Sequence, residues 1–135
     1  AFDFAARSSP RAFAVLRDVR TERVTLHVEA AGLKNLTVVA GPGAAGTLLV
    51  DNGHPLLGRI TGSGCMATAA IGIFNAVGDD RVRQTALALA TYGLAAERAA
   101  AGDPEPGPGT FRARLLDEVA ALAETGVEGV RVRAG

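Results

Sequence analysis

The chain has few of the residues on which disulfide frameworks, membrane spans and nucleic-acid surfaces depend. Its single cysteine, Cys65, excludes an internal disulfide and is typical of a reducing compartment, so we expect a cytoplasmic protein. Tryptophan is absent, and Lys34 is the only lysine. Acidic and basic residues balance at 14 each, which predicts no nucleic-acid partner and no anionic-membrane partner. No apolar run reaches the roughly 18 residues that a membrane-spanning helix requires.

The first half of the chain contains short apolar segments separated by turn residues. Ser8-Ser9-Pro10 resembles a helix start and predicts a helix to about residue 20. Alternating apolar residues predict a strand over 23–28, and compact apolar runs predict strands over 36–40 and 47–50. Residues 59–61 are predicted as a further strand end.

The second half is dominated by helical patterns. We predict helices over residues 65–77, 81–101 and 110–124, with Thr110 as the cap of the third. The first helix is almost wholly apolar, so we expect it to be buried on most sides. Asp79 and Asp80 are predicted caps of the second helix. The tail over 127–132 is predicted as either an edge strand or a frayed end. Strands followed by three helices indicate a layered α/β domain.

The most informative segment is the glycine-rich turn Thr61-Gly62-Ser63-Gly64, which leads directly into the first helix. Glycines let the backbone approach a ligand closely, and a helix N-terminus offers free N–H groups and a favourable dipole for an anion. The turn therefore predicts a phosphate site. A tight turn chosen only for close helix–sheet packing is the alternative.

Four segments in order carry a resemblance to a known family. They are NGHPLL at residues 52–57, TGSGC at 61–65, ALATYGLAAERAA at 88–100 and GPGTFRARLLDEVAAL at 107–122. Together they resemble hydroxyethylthiazole kinase, a thiamine-biosynthesis enzyme of the ribokinase-like superfamily. The resemblance implies a partial ribokinase-like α/β fold corresponding to the C-terminal half of that family. We expect residues 36–135 to form this half, residues 1–35 to be a divergent segment, and the chain to be a fragment or a truncated relative.

The resemblance also implies where the chemistry would take place. Thr61, Gly62, Ser63, Gly64 and Cys65 would form the anion hole for the transferred phosphate, and Gly62 would contact the thiazole alcohol. The implied cosubstrate is ATP, the implied metal ion is Mg²⁺, and the implied assembly is a homotrimer. No Asp/Glu spacing in this sequence makes a self-contained magnesium site.

Three polar residues near this segment allow more than one interpretation. Cys65 occupies the position where most of the superfamily has an aspartate base, and a thiol is mostly protonated at neutral pH. A positioning role with at most modest base catalysis is favoured, and an inert buried cysteine is the alternative. His54 is interpreted as a structural or interface residue rather than as an acid or base. Asn75 lies on the apolar helix, where its amide needs hydrogen-bond partners. Its partners are expected to be backbone groups near the nucleotide rather than the ligand itself.

The resemblance is weakest at the end of the strand over 36–40. The family has a hydroxyl-bearing residue there that contacts ATP, whereas this chain has Ala40 followed by Gly41. Ala40 and Gly41 therefore mark an altered ATP-binding position, and the turn that follows them is shortened.

Three functions remain open from the sequence. The first is ATP-dependent phosphorylation of 4-methyl-5-(2-hydroxyethyl)thiazole, weak or absent in this chain because half of the pocket is missing. The second is a non-catalytic nucleotide-binding or oligomerisation module, which the change at Ala40 favours. The third, a different ribokinase-like kinase, is disfavoured by Cys65 and by NGHPLL.

Overall fold

The computed structural model describes residues 13–16, 37–40, 47–103 and 105–134. Four strands and three α-helices follow in chain order, with a 3-10 helix between the third strand and the first α-helix. They are β1 (Phe13–Leu16), β2 (Thr37–Ala40), β3 (Thr47–Val50), the 3-10 helix (Pro55–Arg59), α1 (Ser63–Val77), α2 (Arg81–Ala101), α3 (Pro108–Thr125) and β4 (Val132–Ala134).

The strands form one mixed sheet in the order β1-β2-β3-β4. β1 and β2 are parallel, with Phe13 opposite Thr37, whereas β2–β3 and β3–β4 are antiparallel. β3 is rich in leucine and valine, and its last residue, Val50, is fully buried. The strands predicted over 36–40 and 47–50 are confirmed to within a residue, and the tail forms an edge strand that begins at Val132.

Helix α2 is the central element because it packs against the sheet and against both other helices. One face of α2 meets Val39 and Val50 of the sheet through Val82, Ala86 and Ala90. Further along, a second core forms around α3 and the 3-10 helix, and it contains Leu56, Tyr92, Ala95, Ala96, Ala99, Phe111 and Leu115. The many alanines of α2 let its neighbours approach closely on several sides.

The prediction that α1 is buried on most sides is wrong. None of its residues is fully buried, and the side chains of Ile73 and Val77 are 67% and 81% exposed. Only the face toward α2 is covered, because no second layer packs on the other face within the described residues. The exposed face consists of Gly64, Cys65, Thr68, Ala69, Gly72, Ile73, Ala76 and Val77. No helix in the described part of the chain is long and apolar enough to cross a membrane.

Two predicted helix caps also differ from the structure. Asp80 caps α2 by accepting a hydrogen bond from the N–H of Arg83 at 3.0 Å, whereas Asp79 does not have this role. Helix α3 begins before Thr110, because Gly107 is its cap residue and Pro108 supplies a preset φ in the first turn.

Two secondary-structure predictions in the first sixty residues are wrong, and a third is not tested. The helix predicted over 8–20 is replaced in part by β1, because the Phe13–Leu16 backbone pairs with β2 and tertiary pairing outweighs a local cap signal. Arg59 belongs to the 3-10 helix rather than to a strand end, since Pro55 and the cap His54 start a helical turn. The strand predicted over 23–28 lies outside the described residues.

Candidate functional site

The glycine turn has the backbone geometry that an anion site requires. Gly62 has φ 91° and ψ −6°, in the left-handed region, and it is the cap residue of α1 without a side-chain capping bond. The first bond of the helix joins the N–H of Met66 to the carbonyl of Gly62 at 3.0 Å. The N–H groups of Ser63, Gly64 and Cys65 therefore have no intrahelical acceptor. Apart from chain neighbours and the helix backbone, no heavy atom of the described residues lies within 4 Å of a Cβ built on Gly62 or Gly64, so the turn is open in this part of the chain.

The Ser63 side chain holds this turn against the preceding 3-10 helix. Its Oγ donates to the carbonyl oxygen of Leu57 at 2.6 Å, with a longer contact to that of Ile60. The hydroxyl thus points back toward the loop, and the group that Ser63 can offer to an anion is its N–H. Thr61, by contrast, is exposed and has no described side-chain hydrogen bond.

Cys65 is a free, exposed cysteine in the first turn of α1. The buried environment assumed in the alternative interpretation is therefore not observed, while the role of Cys65 stays a prediction. Its thiol lies on the uncovered face of the helix beside Gly64, within one helical turn of the unpaired N–H groups.

The position of His54 fits the structural interpretation. Its Nδ1 accepts a hydrogen bond from the N–H of Leu56 at 3.3 Å and so caps the 3-10 helix. The ring packs on the ring of Phe111, with centroids 5.6 Å apart. Burial lowers the pKa of His54, although the charge of Glu97 opposes that shift, so the imidazole is kept in the neutral form that can accept this bond.

A polar network that the sequence analysis missed fixes the start of the NGHPLL loop. The buried amide of Asn52 donates to Glu97 Oε2 at 3.2 Å and to the carbonyl of Gly129 at 3.0 Å. Its Oδ1 accepts from the N–H of Arg131 at 2.6 Å. The N–H of Gly53 donates to Glu97 Oε1 at 2.9 Å, and Arg131 forms a salt bridge to the same carboxylate at 2.6 Å.

The family-like segments therefore contact one another directly. Glu97 lies in ALATYGLAAERAA and bonds to NGHPLL, while Phe111 of GPGTF packs on His54. Gly93 belongs to the same group, because a Cβ there would lie 2.7 Å from the carbonyl carbon and oxygen of Asn52. The sequence shows that these family-like segments occur together in one chain. Which residues of one segment contact those of another depends on the fold.

Two other candidates are Asn75 and Ala40. Asn75 donates from Nδ2 to the carbonyl of Ile71 and to Thr85 Oγ1, and its Oδ1 is buried without a partner among the described residues. It lies twelve residues along α1 from Ser63, roughly 18 Å at the usual helical rise, so it does not border the glycine turn. Ala40 ends β2 opposite Thr47, whereas Gly41 lies outside the described residues.

No group of three or more His, Cys, Asp or Glu side chains in the described part of the chain could hold a metal ion. Mg²⁺ in proteins usually relies on one or two carboxylates together with substrate phosphates, so we assign no protein ligand for it here.

The comparisons with known proteins agree on one family. The hydroxyethylthiazole kinase family model matches residues 20–125. A hydroxyethylthiazole kinase of Rubrobacter xylanophilus is 55% identical over 86 residues, which cover 63% of this chain and 31% of the relative. The enzyme of the same name from Moorella thermoacetica is 49% identical over 105 residues, covering 72% and 39%. The chain thus spans about a third of the length of these curated relatives.

A solved structure extends the similarity to the fold. The structure described as a hydroxyethylthiazole kinase protein from Pyrococcus horikoshii OT3 aligns with a TM-score of 0.55 and 37% identity. The alignment covers 73% of this chain and 40% of that one. The predicted partial ribokinase-like α/β fold is confirmed, and the boundary predicted at residue 36 stays a prediction.

Proposed function

Because the chain belongs to the hydroxyethylthiazole kinase family, we propose that it supplies the phosphate-binding part of an ATP-dependent kinase. The acceptor would be the alcohol of 4-methyl-5-(2-hydroxyethyl)thiazole, in thiamine biosynthesis or salvage. The names of the relatives support this substrate. The observation that carries the proposal is the left-handed Gly62 at the start of a 15-residue helix whose first N–H groups have no acceptor among the described residues.

The residues of the turn suit phosphoryl transfer, in which the protein mainly positions the reactants and neutralises developing charge. The N–H groups of Ser63, Gly64 and Cys65 would donate to the transferred phosphate, and the dipole of α1 would favour its negative charge. Thr61 and Gly62 would complete the hole, with Gly62 next to the substrate alcohol. The γ-phosphoryl group of ATP would pass to the alcohol oxygen, with ADP as the leaving group and the alcohol proton released.

Cys65 would act beside the reacting alcohol. Its exposed thiol shares the first turn of the helix with the free N–H groups, so it could orient the alcohol and accept its proton weakly. A carboxylate at this position would be a better acceptor at neutral pH. We therefore propose positioning as the main role of Cys65 and base catalysis as a minor one.

The nucleotide would extend from the turn toward the end of β2, where Ala40 and Gly41 stand at the altered ATP position. The family implies a divalent metal ion, which would screen the charge of the nucleotide phosphates. Because the described residues contain no group of three or more His, Cys, Asp or Glu side chains that could hold a metal ion, we assign no residue and no step to the ion. The single cysteine supports a cytoplasmic location.

Two glycine variants of α1 test the proposal. Gly62→Ala places a Cβ at φ 91°, which costs roughly 1–2 kcal/mol and reorients the free N–H groups. Gly72→Ala is the matched control, because Gly72 is exposed within α1 and no other described side chain or segment lies within 4 Å of its added Cβ. In calorimetric titrations we expect micromolar Mg-ATP binding by the wild type and by Gly72→Ala, and binding about tenfold weaker in Gly62→Ala. Equal binding by all three proteins would contradict the proposal.

A second candidate function is favoured by the uncovered face of α1. Ile73 and Val77 are exposed there beside small residues, which suits a non-catalytic nucleotide-binding or oligomerisation module. Under this alternative the chain binds Mg-ATP or self-associates but does not phosphorylate the thiazole alcohol. Coupled ADP-release assays with and without the alcohol, together with sedimentation velocity, separate the two functions. We expect little turnover by the 135-residue chain itself, because it spans about a third of its relatives.

A further inference from the structure

We propose that Glu97 of α2 is a positioning residue for the glycine turn, although no described hydrogen bond joins the two. Its carboxylate fixes the first residues of the NGHPLL loop, and that loop holds the turn through Ser63. The inference rests on the proposed function for its importance in phosphate binding. The structural connection itself can be tested without any ligand.

The first step of the connection is the set of bonds around the Glu97 carboxylate. Oε1 accepts from the N–H of Gly53 at 2.9 Å, and Oε2 accepts from the Asn52 amide at 3.2 Å. Arg131 adds a two-pronged contact, one nitrogen to each oxygen, at 2.6 and 3.2 Å. Every donor to this carboxylate comes from a segment that is distant in sequence, so Glu97 joins α2 to the loop.

The second step is the steric match between α2 and the loop. Gly93 lies one helical turn before Glu97, so the two residues share a face of α2. A Cβ at Gly93 would overlap the Asn52 backbone, and its absence lets that backbone rest on the helix. Close packing against Gly93 therefore holds the Asn52 backbone, and the Glu97 carboxylate holds the backbone N–H of Gly53.

The third step runs from the loop to the turn. The 3-10 helix starts directly after His54, whose Nδ1 caps it. The carbonyl oxygen of Leu57 then accepts the Ser63 hydroxyl at 2.6 Å, and Ser63 is the first residue of α1. Within the described residues this bond is the shortest side-chain link between the loop and the turn. A loop that moves at Gly53 would carry Leu57 with it and would shift the N–H groups of the turn.

A simpler interpretation is that Glu97 only forms a salt bridge with Arg131 at the surface. Such exposed pairs contribute little, and the Arg131 side chain is 49% exposed. The two interpretations predict different mutant patterns. Arg131→Gln removes the ion pair and the guanidinium bonds to the carbonyls of Asp51 and Gly129, but leaves the Gly53 and Asn52 bonds to Glu97. Glu97→Gln removes the ion pair and also turns an NH₂ group toward one of the former donors.

The test uses the whole chain and reads the turn directly. Amide hydrogen exchange of Met66, whose N–H bonds to the Gly62 carbonyl, and ¹⁵N chemical shifts of Gly62, Gly64 and Cys65 are compared in wild type, Glu97→Gln and Arg131→Gln without ligand. Inorganic phosphate is then titrated into each protein. We expect Glu97→Gln to accelerate exchange at Met66, to shift the turn resonances and to weaken phosphate binding about fivefold, with little change in Arg131→Gln. Equal behaviour of the two variants would overturn the proposal.

The Ser63→Ala variant completes a double-mutant cycle with Glu97→Gln. Glu97 and Ser63 are not in contact, so their effects on turn exchange should add unless the loop couples them. We expect the effect of Glu97→Gln largely to vanish in the Ser63→Ala background, and simple additivity would refute the connection. If Glu97→Gln does not fold, the test uses Ser63→Ala alone. Ser63→Ala should loosen the turn, and Ser63→Thr should restore it. An unchanged turn in Ser63→Ala would overturn the proposal. Failure of wild type to bind phosphate would contradict the proposed function, while the exchange data would still decide the role of Glu97.

Discussion

Replacing Gly93 by alanine should destabilise the protein, although the same change in an exposed helix normally stabilises it. Gly93 lies within α2, where alanine is favoured over glycine by about 1 kcal/mol. At this position, however, the added Cβ would lie 2.7 Å from both the carbonyl carbon and the oxygen of Asn52 and 2.9 Å from its Cβ. Two of these atoms belong to the backbone and cannot rotate away, so the helix and the loop must separate.

The size of the effect follows from these opposing contributions. Forcing extra atoms into a packed region costs typically about 1–3 kcal/mol, and separation would also stretch the Glu97 bonds to Gly53 and Asn52. A charge-assisted hydrogen bond contributes roughly 1.5–3 kcal/mol, so the loss of even one of them outweighs the gain in helix propensity. We expect Gly93→Ala to lower the free energy of unfolding by about 2 kcal/mol net.

Urea denaturation followed by circular dichroism measures this free energy, with Gly72→Ala as the control. Gly72 is exposed in α1 and its added Cβ contacts no other described segment, so that variant should gain up to about 1 kcal/mol from helix propensity. The two alanine variants should therefore shift the denaturation midpoint in opposite directions. A Gly93→Ala protein as stable as Gly72→Ala would refute the close packing of α2 on the loop.

Three further predictions concern residues elsewhere in the described structure. Burial lowers the pKa of His54, so the unfolded state binds a proton at this residue before the folded state does as pH falls. The contribution of His54 to stability should therefore be full above about pH 6.5 and decline below it. Denaturation curves at pH 7.5 and 5.5 should show a smaller pH dependence in His54→Asn. The buried hydroxyl of Tyr92 has no described hydrogen-bond partner, and burial raises its pKa to about 12. Tyr92→Phe should therefore leave stability unchanged or raise it by about 1 kcal/mol. A clear loss of stability in thermal denaturation would contradict the absence of such a bond. Ile73 is exposed on the uncovered face of α1, so Ile73→Glu should reduce concentration-dependent association in sedimentation velocity without lowering stability. The control Arg112→Glu, on the exposed side of α3, should leave association unchanged.

Local signals in the sequence predicted the elements whose ends carry turn residues. The second helix was placed at 81–101, as observed, because Asp80 begins it and Gly102 follows it. The glycine turn at the start of α1 was equally visible, since its residues are adjacent in sequence. The helix predicted over 8–20 was wrong because the pairing of β1 with β2 is a contact between distant segments.

The burial of α1 could not be predicted from its composition. An apolar helix is expected to be surrounded, but burial depends on which elements are present to cover it. Here α2 covers one face, and the opposite face remains exposed at Ile73 and Val77. Composition reports the tendency to be buried, whereas the arrangement of neighbours decides the outcome.

The network behind the candidate site was invisible in the sequence for a related reason. Glu97 is a charged residue in a long helix and looks like an ordinary solvent-exposed position. Its partners, Asn52 and Gly53, lie more than forty residues earlier, so no local spacing connects them. Their roles become recognisable only when the fold brings the segments together.

The long separations within this network have a consequence for how the protein folds. The bonds that fix Asn52 and Gly53 join residues separated by 44 to 79 positions in sequence. Contacts of such high sequence separation form slowly, because the entropy of closing a long loop is lost before the contact stabilises the chain. The Thr61–Cys65 turn is short and local, but the Asn52–Gly53 segment that positions it is fixed only after α2 and the segment around Arg131 have packed together. We therefore expect the helices to acquire their circular-dichroism signal in an early kinetic phase and the Met66 amide, which bonds to the Gly62 carbonyl, to become protected from hydrogen exchange in a later one.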